Sequence, residues 1–96
     1  MNPIAVAFGR NLARARKRAG LSQEEVGYRA SLHRTEVGLL ERGERTPRID
    51  TALKLAGAVE VGLDQLVEGI AWRPGSFRPG GFAPSGEPEE GGEADA

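Results

Sequence analysis

Between Leu21 and Gly43 the chain reads LSQEEVGYRASLHRTEVGLLERG, two short helical patterns with almost nothing between them. The first opens at Ser22, a residue type favoured as an N-cap, and Glu25 stands three positions on. That spacing is a capping box: hydroxyl and carboxylate each satisfy a backbone amide the helix leaves unbonded. Val26 and Ala30 are four apart and share a face. The second pattern starts near His33 and carries Val37, Leu40 and Glu41 at helical spacing. Gly43 is its C′ stop.

At about 100° per residue, Val37 and Leu40 point one way. Arg34, Thr35, Gly38, Leu39 and Arg42 point roughly the other. The outer face thus holds two arginines, a hydroxyl, a bare backbone position and one leucine. Most solvated helices carry glutamates and lysines there. Such a slim face suits the major groove of B-DNA. Arg34 can grip O6 and N7 of guanine together. Thr35 offers a hydroxyl and a methyl, Gly38 a close backbone approach, and Leu39 cover for a thymine methyl. Arg34, Thr35, Gly38 and Leu39 are therefore the expected base contacts, from a recognition helix at about 33–42. His33, at the helix start, is placed to touch a phosphate or to cap the helix. Arg42, Arg45 and Arg48 follow like phosphate clamps.

The stretch resembles the helix-turn-helix of the Cro/CI-type (Xre) phage-repressor family. The resemblance rests on Leu21-Ser22-Gln23, Ala30, Leu32, Arg34-Thr35, Val37 and Leu40-Glu41-Arg42-Gly43. It extends upstream to Phe8-Gly9, Leu12 and Arg16, and downstream to Pro47, Leu53, Lys54-Leu55-Ala56 and Leu63 to Leu66. It implies a sequence-specific double-stranded DNA-binding transcriptional regulator, a repressor by analogy. It implies that Gln23 opens a helix crossing the DNA backbone, where its amide meets a phosphate. It implies a partly buried Arg16–Glu41 ion pair joining the first and third helices. It also implies a homodimer on a palindromic operator with half-sites about 34 Å apart. The fifth helix and the arm after it are the expected dimer surfaces. Two residues depart from the pattern. Ser31 stands where glycine is usual and a left-handed residue is expected. Gly27 replaces the usual alanine, at a cost of about 1 kcal/mol of helix stability.

The rest of the chain fits five helices. Ile4 to Ala19 places Phe8, Leu12, Ala15 and Ala19 on one stripe, with Arg10, Arg14, Lys17 and Arg18 off it. Asp50 to Val59 is the fourth helix, with Leu53 and Ala56 inward and Lys54 outward. Val61 to Val67 is a short fifth, with Leu63, Leu66 and Val67 expected in the core. The fold class is all-α, a five-helix phage-repressor-like domain over 1–68. Residues 69–84 hold Ile70, Trp72, Phe77 and Phe82 among glycines and prolines. That segment reads as an irregular extended arm or a loose hairpin. Residues 85–96 are acidic, lack large apolar residues and read as disordered.

The net charge of −1 hides a segregation. Residues 1–73 hold twelve Lys/Arg and nine Asp/Glu; residues 74–96 hold one and five. A basic domain precedes an acidic tail, which is placed to compete with DNA for Arg14 to Arg18. No cysteine is present, so disulfides and thiolate metal sites are excluded, which suits a cytoplasmic protein. No apolar run reaches the roughly 20 residues of a membrane span. One histidine, no glycine-rich phosphate loop and no carboxylate pair in a plausible cleft argue against an enzyme. No cofactor or metal is implied. The alternative function is an antitoxin or other protein-interaction module working through the arm.

Overall fold

A computed structural model describes residues 2–76 and 79–84. The expectations for Phe77 and for the tail over 85–96 lie outside them. Five helices come first: α1 (Pro3–Arg18), α2 (Gln23–Ala30), α3 (Arg34–Glu41), α4 (Ile49–Ala58) and α5 (Leu63–Leu66). Two strands follow, β1 (Ile70–Arg73) and β2 (Gly81–Pro84).

Local chemistry sets the ends of the helices. Asn2 Oδ1 accepts the amides of Ile4 and Ala5 at 2.8 and 3.3 Å, while Pro3 has no amide to leave unbonded. Gly20, at φ +75°, turns the chain out of α1. At α2 the capping box is complete. The Glu25 amide donates to Ser22 Oγ at 3.0 Å, and the Ser22 amide donates to Glu25 Oε1 at 2.7 Å. These Ser22 hydrogen bonds, backbone first, hold the Glu25 carboxyl below its usual range. Ser31 closes α2 at φ 58°, in the left-handed region.

Gly27 corrects the expectation of a merely weakened helix. A Cβ there would stand 2.6 Å from the Leu32 carbonyl oxygen and 3.3 Å from the Arg34 amide nitrogen. The turn folds back onto the bare backbone, and the Leu32 amide donates to the Gly27 carbonyl at 2.8 Å. Gly9 plays the same part between α1 and α3. The carbonyls of Leu40 and Glu41 occupy the space its Cβ would fill.

The core draws on all five helices: Phe8, Leu12, Val26, Val37, Leu40, Leu55 and Leu66 are fully buried. Each contributes about 1.5–3 kcal/mol. Four expectations need correction. Ala19 is exposed, because α1 ends at Arg18 and Ala19 is its C-cap. Leu53 is 55% exposed. The buried stripe of α4 is instead Ala52, Leu55, Ala56 and Val59, an i, i+3, i+4, i+7 set that leaves Leu53 to one side. Val67 is exposed because α5 ends one residue before it. Asn11, absent from the expected core, is buried: its Nδ2 donates to the Leu66 and Glu68 carbonyls at 3.0 and 2.9 Å. It thereby serves carbonyls that the end of α5 leaves open.

Of the two forms open to the arm, the hairpin is the one adopted. β1 and β2 pair antiparallel, with Ile70 opposite Pro84, Trp72 opposite Phe82 and Arg73 opposite Gly81. The Trp72 and Phe82 rings meet edge to face, centroids 5.0 Å apart at 74°. A lone two-stranded ribbon is marginal in water, and this one lies alongside α1.

Candidate nucleic-acid interface

α3 is an eight-residue helix with one buried edge, Val37 and Leu40. His33 caps it: Nδ1 accepts the Thr35 amide at 3.0 Å. The ring proton must then sit on Nε2. Arg34 and Thr35 stand exposed at the N-terminal end, and Leu39 is half-buried. Gly38 is buried. A Cβ there would lie 3.1 Å from an Arg42 guanidinium nitrogen and 3.6 Å from Gln23 Oε1. Two side chains therefore roof the bare backbone position.

Gln23, at the start of α2, is half-buried, and its Nε2 donates to Glu41 Oε1 at 3.0 Å. Glu41 also receives Arg16 through two nitrogens, Nε at 2.6 Å and Nη2 at 3.1 Å. This hydrogen bonding with Glu41 raises the Arg16 pKa against the opposing effect of burial. The Arg16–Glu41–Gln23 cluster thus fixes the first turn of α2 against the last turn of α3. A primary amide has two N–H groups, so Gln23 keeps one beyond its bond to Glu41.

The remaining arginines line the loop after α3, and each has a carboxylate of its own chain nearby. Arg42 Nε lies 2.6 Å from Glu44 Oε2, Arg45 lies 3.6 Å from Glu36, and Arg48 lies 3.4 Å from Asp50. Arg34 is 4.0 Å from Glu24. These arginine side chains are all more than half exposed. Exposed pairs of this kind are worth about 0–1 kcal/mol, so an incoming phosphate can displace the carboxylates. Asn2 Nδ2 donates to Thr46 Oγ1 at 3.1 Å, tying this loop back to the start of α1.

One residue of this surface was missed in the sequence. Tyr28 is 89% exposed and lines a shallow groove with Glu24, Leu32, His33 and Arg34. Its position, away from the Val26 and Ala30 face, was the available signal. Among the described residues no group of three His, Asp or Glu gathers as a metal site.

A helix-turn-helix family model matches residues 12–66, more than half of the chain. The chain belongs to the helix-turn-helix family. This helix-turn-helix protein is 42% identical over 59 residues to an uncharacterized HTH-type transcriptional regulator of Sinorhizobium fredii, covering 62% of this chain and 77% of that one. It is 31% identical over 68 residues to the control protein C.BamHI of Bacillus amyloliquefaciens, covering 70% and 84%. Among solved structures it is similar to the restriction-modification controller protein C.AhdI of Aeromonas hydrophila. There the TM-score is 0.63 and the identity 39%, over 65% of this chain and 94% of that one. The P22 c2 repressor, crystallised with a synthetic operator, shares the fold at a TM-score of 0.60 and 24% identity, over 65% and 94%.

Proposed function

We propose that this helix-turn-helix protein binds double-stranded DNA at specific sites and regulates transcription, as a repressor, with residues 33–42 in the major groove. One observation carries the reading. Val37 and Leu40 are wholly buried, while Arg34 and Thr35 of the same short helix are exposed. A helix seated on one narrow edge leaves its other side open to a groove. The transcriptional-regulator and controller relatives support the regulatory role.

Arg34, Thr35 and Leu39 then meet base edges. Gly38 joins them when the Arg42 guanidinium leaves it for a phosphate. Gln23, His33 through Nε2–H, Arg42, Arg45 and Arg48 take the backbone. Each phosphate neutralised adds about −0.9 to the slope of log K against log salt. Dimers on a palindromic operator follow from the few base pairs a single α3 reads. The apolar surface for a second copy includes Val67 after α5 and Trp72 and Phe82 on the hairpin. Ile49 and Leu53, 67% and 55% exposed on α4, are further apolar residues open to a second copy. No helix of the described residues is long and apolar enough to cross a membrane, in keeping with work on DNA in the cytoplasm.

Trp72, exposed at the end of the domain, favours a second reading in which the hairpin holds a partner protein, as in an antitoxin. Co-purification of a partner that Trp72→Ala and Phe82→Ala abolish supports it. Selection of a duplex site by the protein alone, lost in Arg34→Ala, supports the first.

A further inference from the structure

The positive charge of the domain is unevenly paired. Arg16, Arg29, Arg34, Arg42, Arg45 and Arg48 each have a carboxylate within 4.0 Å. Arg10, Arg14, Lys17 and Arg18 of α1 are exposed and, among the described residues, none has a carboxylate at ion-pair distance. The one bond from Arg14 runs to the neutral Asn11 Oδ1 at 3.2 Å. Lys54 stands apart on α4. The four on α1 are spaced i, i+4, i+7 and i+8, so they form a single stripe about 12 Å long.

The chain beyond the hairpin leaves from a ribbon in contact with α1, the helix that carries this stripe. Pro84, the last residue of β2, lies opposite Ile70 on a ribbon that runs beside α1. Asn11 binds the Glu68 carbonyl just before that ribbon and the Arg14 guanidinium of the stripe. One flank of α1 therefore joins hairpin and stripe. Glu87, Glu89, Glu90, Glu93 and Asp95 follow within eleven residues of Pro84. At no more than about 3.3–3.6 Å per residue, the reach from Pro84 is at most about 10 Å for Glu87 and at most about 40 Å for Asp95, against a stripe about 12 Å long.

We infer that the acidic segment Glu87 to Asp95 of the same chain occupies the Arg10–Arg14–Lys17–Arg18 stripe. The arginines near α3 each have a weakly held carboxylate neighbour that the tail would first have to displace, whereas the α1 stripe has none. The occupied stripe presents little positive field to a polyanion. The consequence for DNA rests on the DNA-binding reading: the tail suppresses loose attachment to arbitrary duplex, and phosphates displace it only when α3 holds the protein in place.

The placement itself is tested without DNA. The chain has no cysteine, so Ala94→Cys gives the full-length protein a unique spin-label site. Amide broadening is read at about 0.01 M ionic strength, where the Debye length is about 30 Å, and at about 1 M, where it is about 3 Å. The expected result is broadening of Arg10, Arg14, Lys17 and Arg18 at low salt. It disappears at high salt and in the variant carrying E87Q, E89Q, E90Q, E93Q and D95N. Broadening centred on α3, no localised broadening, or broadening unchanged in the neutral-tail variant overturns the inference. Broadening seen only when spin-labelled, isotope-free chain is mixed with unlabelled, isotope-enriched chain puts the tail on a second copy and also overturns it. Because no DNA is present, any of these results leaves the DNA-binding reading standing.

Discussion

Arg16 reaches Glu41 with two nitrogens and turns its third, Nη1, to the Leu21 carbonyl at 3.0 Å. One guanidinium thus joins α1, the loop before α2, and the end of α3. The side chains are 15% and 7% exposed, so neither charge is left to water once its partner is gone. Arg16→Ala and Glu41→Ala should each lose about 3 kcal/mol. Chemical denaturation checks this: the midpoint falls in both. The double variant loses less than the sum of the two, because the second truncation removes a charge already stranded.

Gly27→Ala gains about 1 kcal/mol of helix propensity. It also drives a methyl to within 2.6 Å of the Leu32 carbonyl oxygen. Overpacking of this kind costs about 1–3 kcal/mol, so the net effect is a lower melting midpoint. The turn into α3 shifts with it. A midpoint above that of the parent would show that the turn has room to yield.

These two cases mark what could be read in the chain. The capping box at Ser22 and Glu25 and the C′ glycines were legible because each concerns groups within four residues, while the left-handed position at Ser31 followed from the family resemblance. The need for Gly27 was not, since the carbonyl that crowds it belongs to the turn beyond α2. Nor was the choice between Leu53 and Leu55. α4 and its C-cap carry apolar residues at 49, 52, 53, 55, 56, 58 and 59, and period alone does not say which stripe faces in. At the candidate interface, the exposure of Arg34 and Thr35 followed from the positions of Val37 and Leu40. The roof over Gly38 and the carboxylate beside each arginine are set by side chains folding across turns, and helical spacing says nothing about those.

The capping box makes a pH prediction. The Glu25 carboxyl titrates below its ordinary 4.5 because the Ser22 amide and hydroxyl favour the charged form. Its contribution is therefore whole above pH 4.5 and fades as pH falls through the lower folded value. Glu25→Gln keeps an acceptor at this position but does not titrate. Melting midpoints of parent and variant should differ above pH 4.5 and converge in acid. A gap that stays constant across the range would contradict the assignment.

Leu53 and Ile49 are large apolar residues left to solvent on α4. If a second copy covers them, Leu53→Asp removes about 2 kcal/mol or more of burial from each subunit. Sedimentation equilibrium should then show monomer where the parent is a dimer, with helical circular dichroism unchanged. A parent that is monomeric at every concentration, or a variant that dimerises equally well, would remove α4 from the interface.

The central question is whether the Arg34 face of α3 reads bases. The direct measurement is binding-site selection from random duplexes, followed by titration of the selected site with parent and Arg34→Ala at one salt concentration. The expected outcome is a two-fold symmetric site bound by the parent. The variant should lose about 1–3 kcal/mol of discrimination at one base pair of each half-site while its affinity for arbitrary DNA barely moves. Selection of no site, or equal affinity and equal base preference in the two proteins, would contradict it.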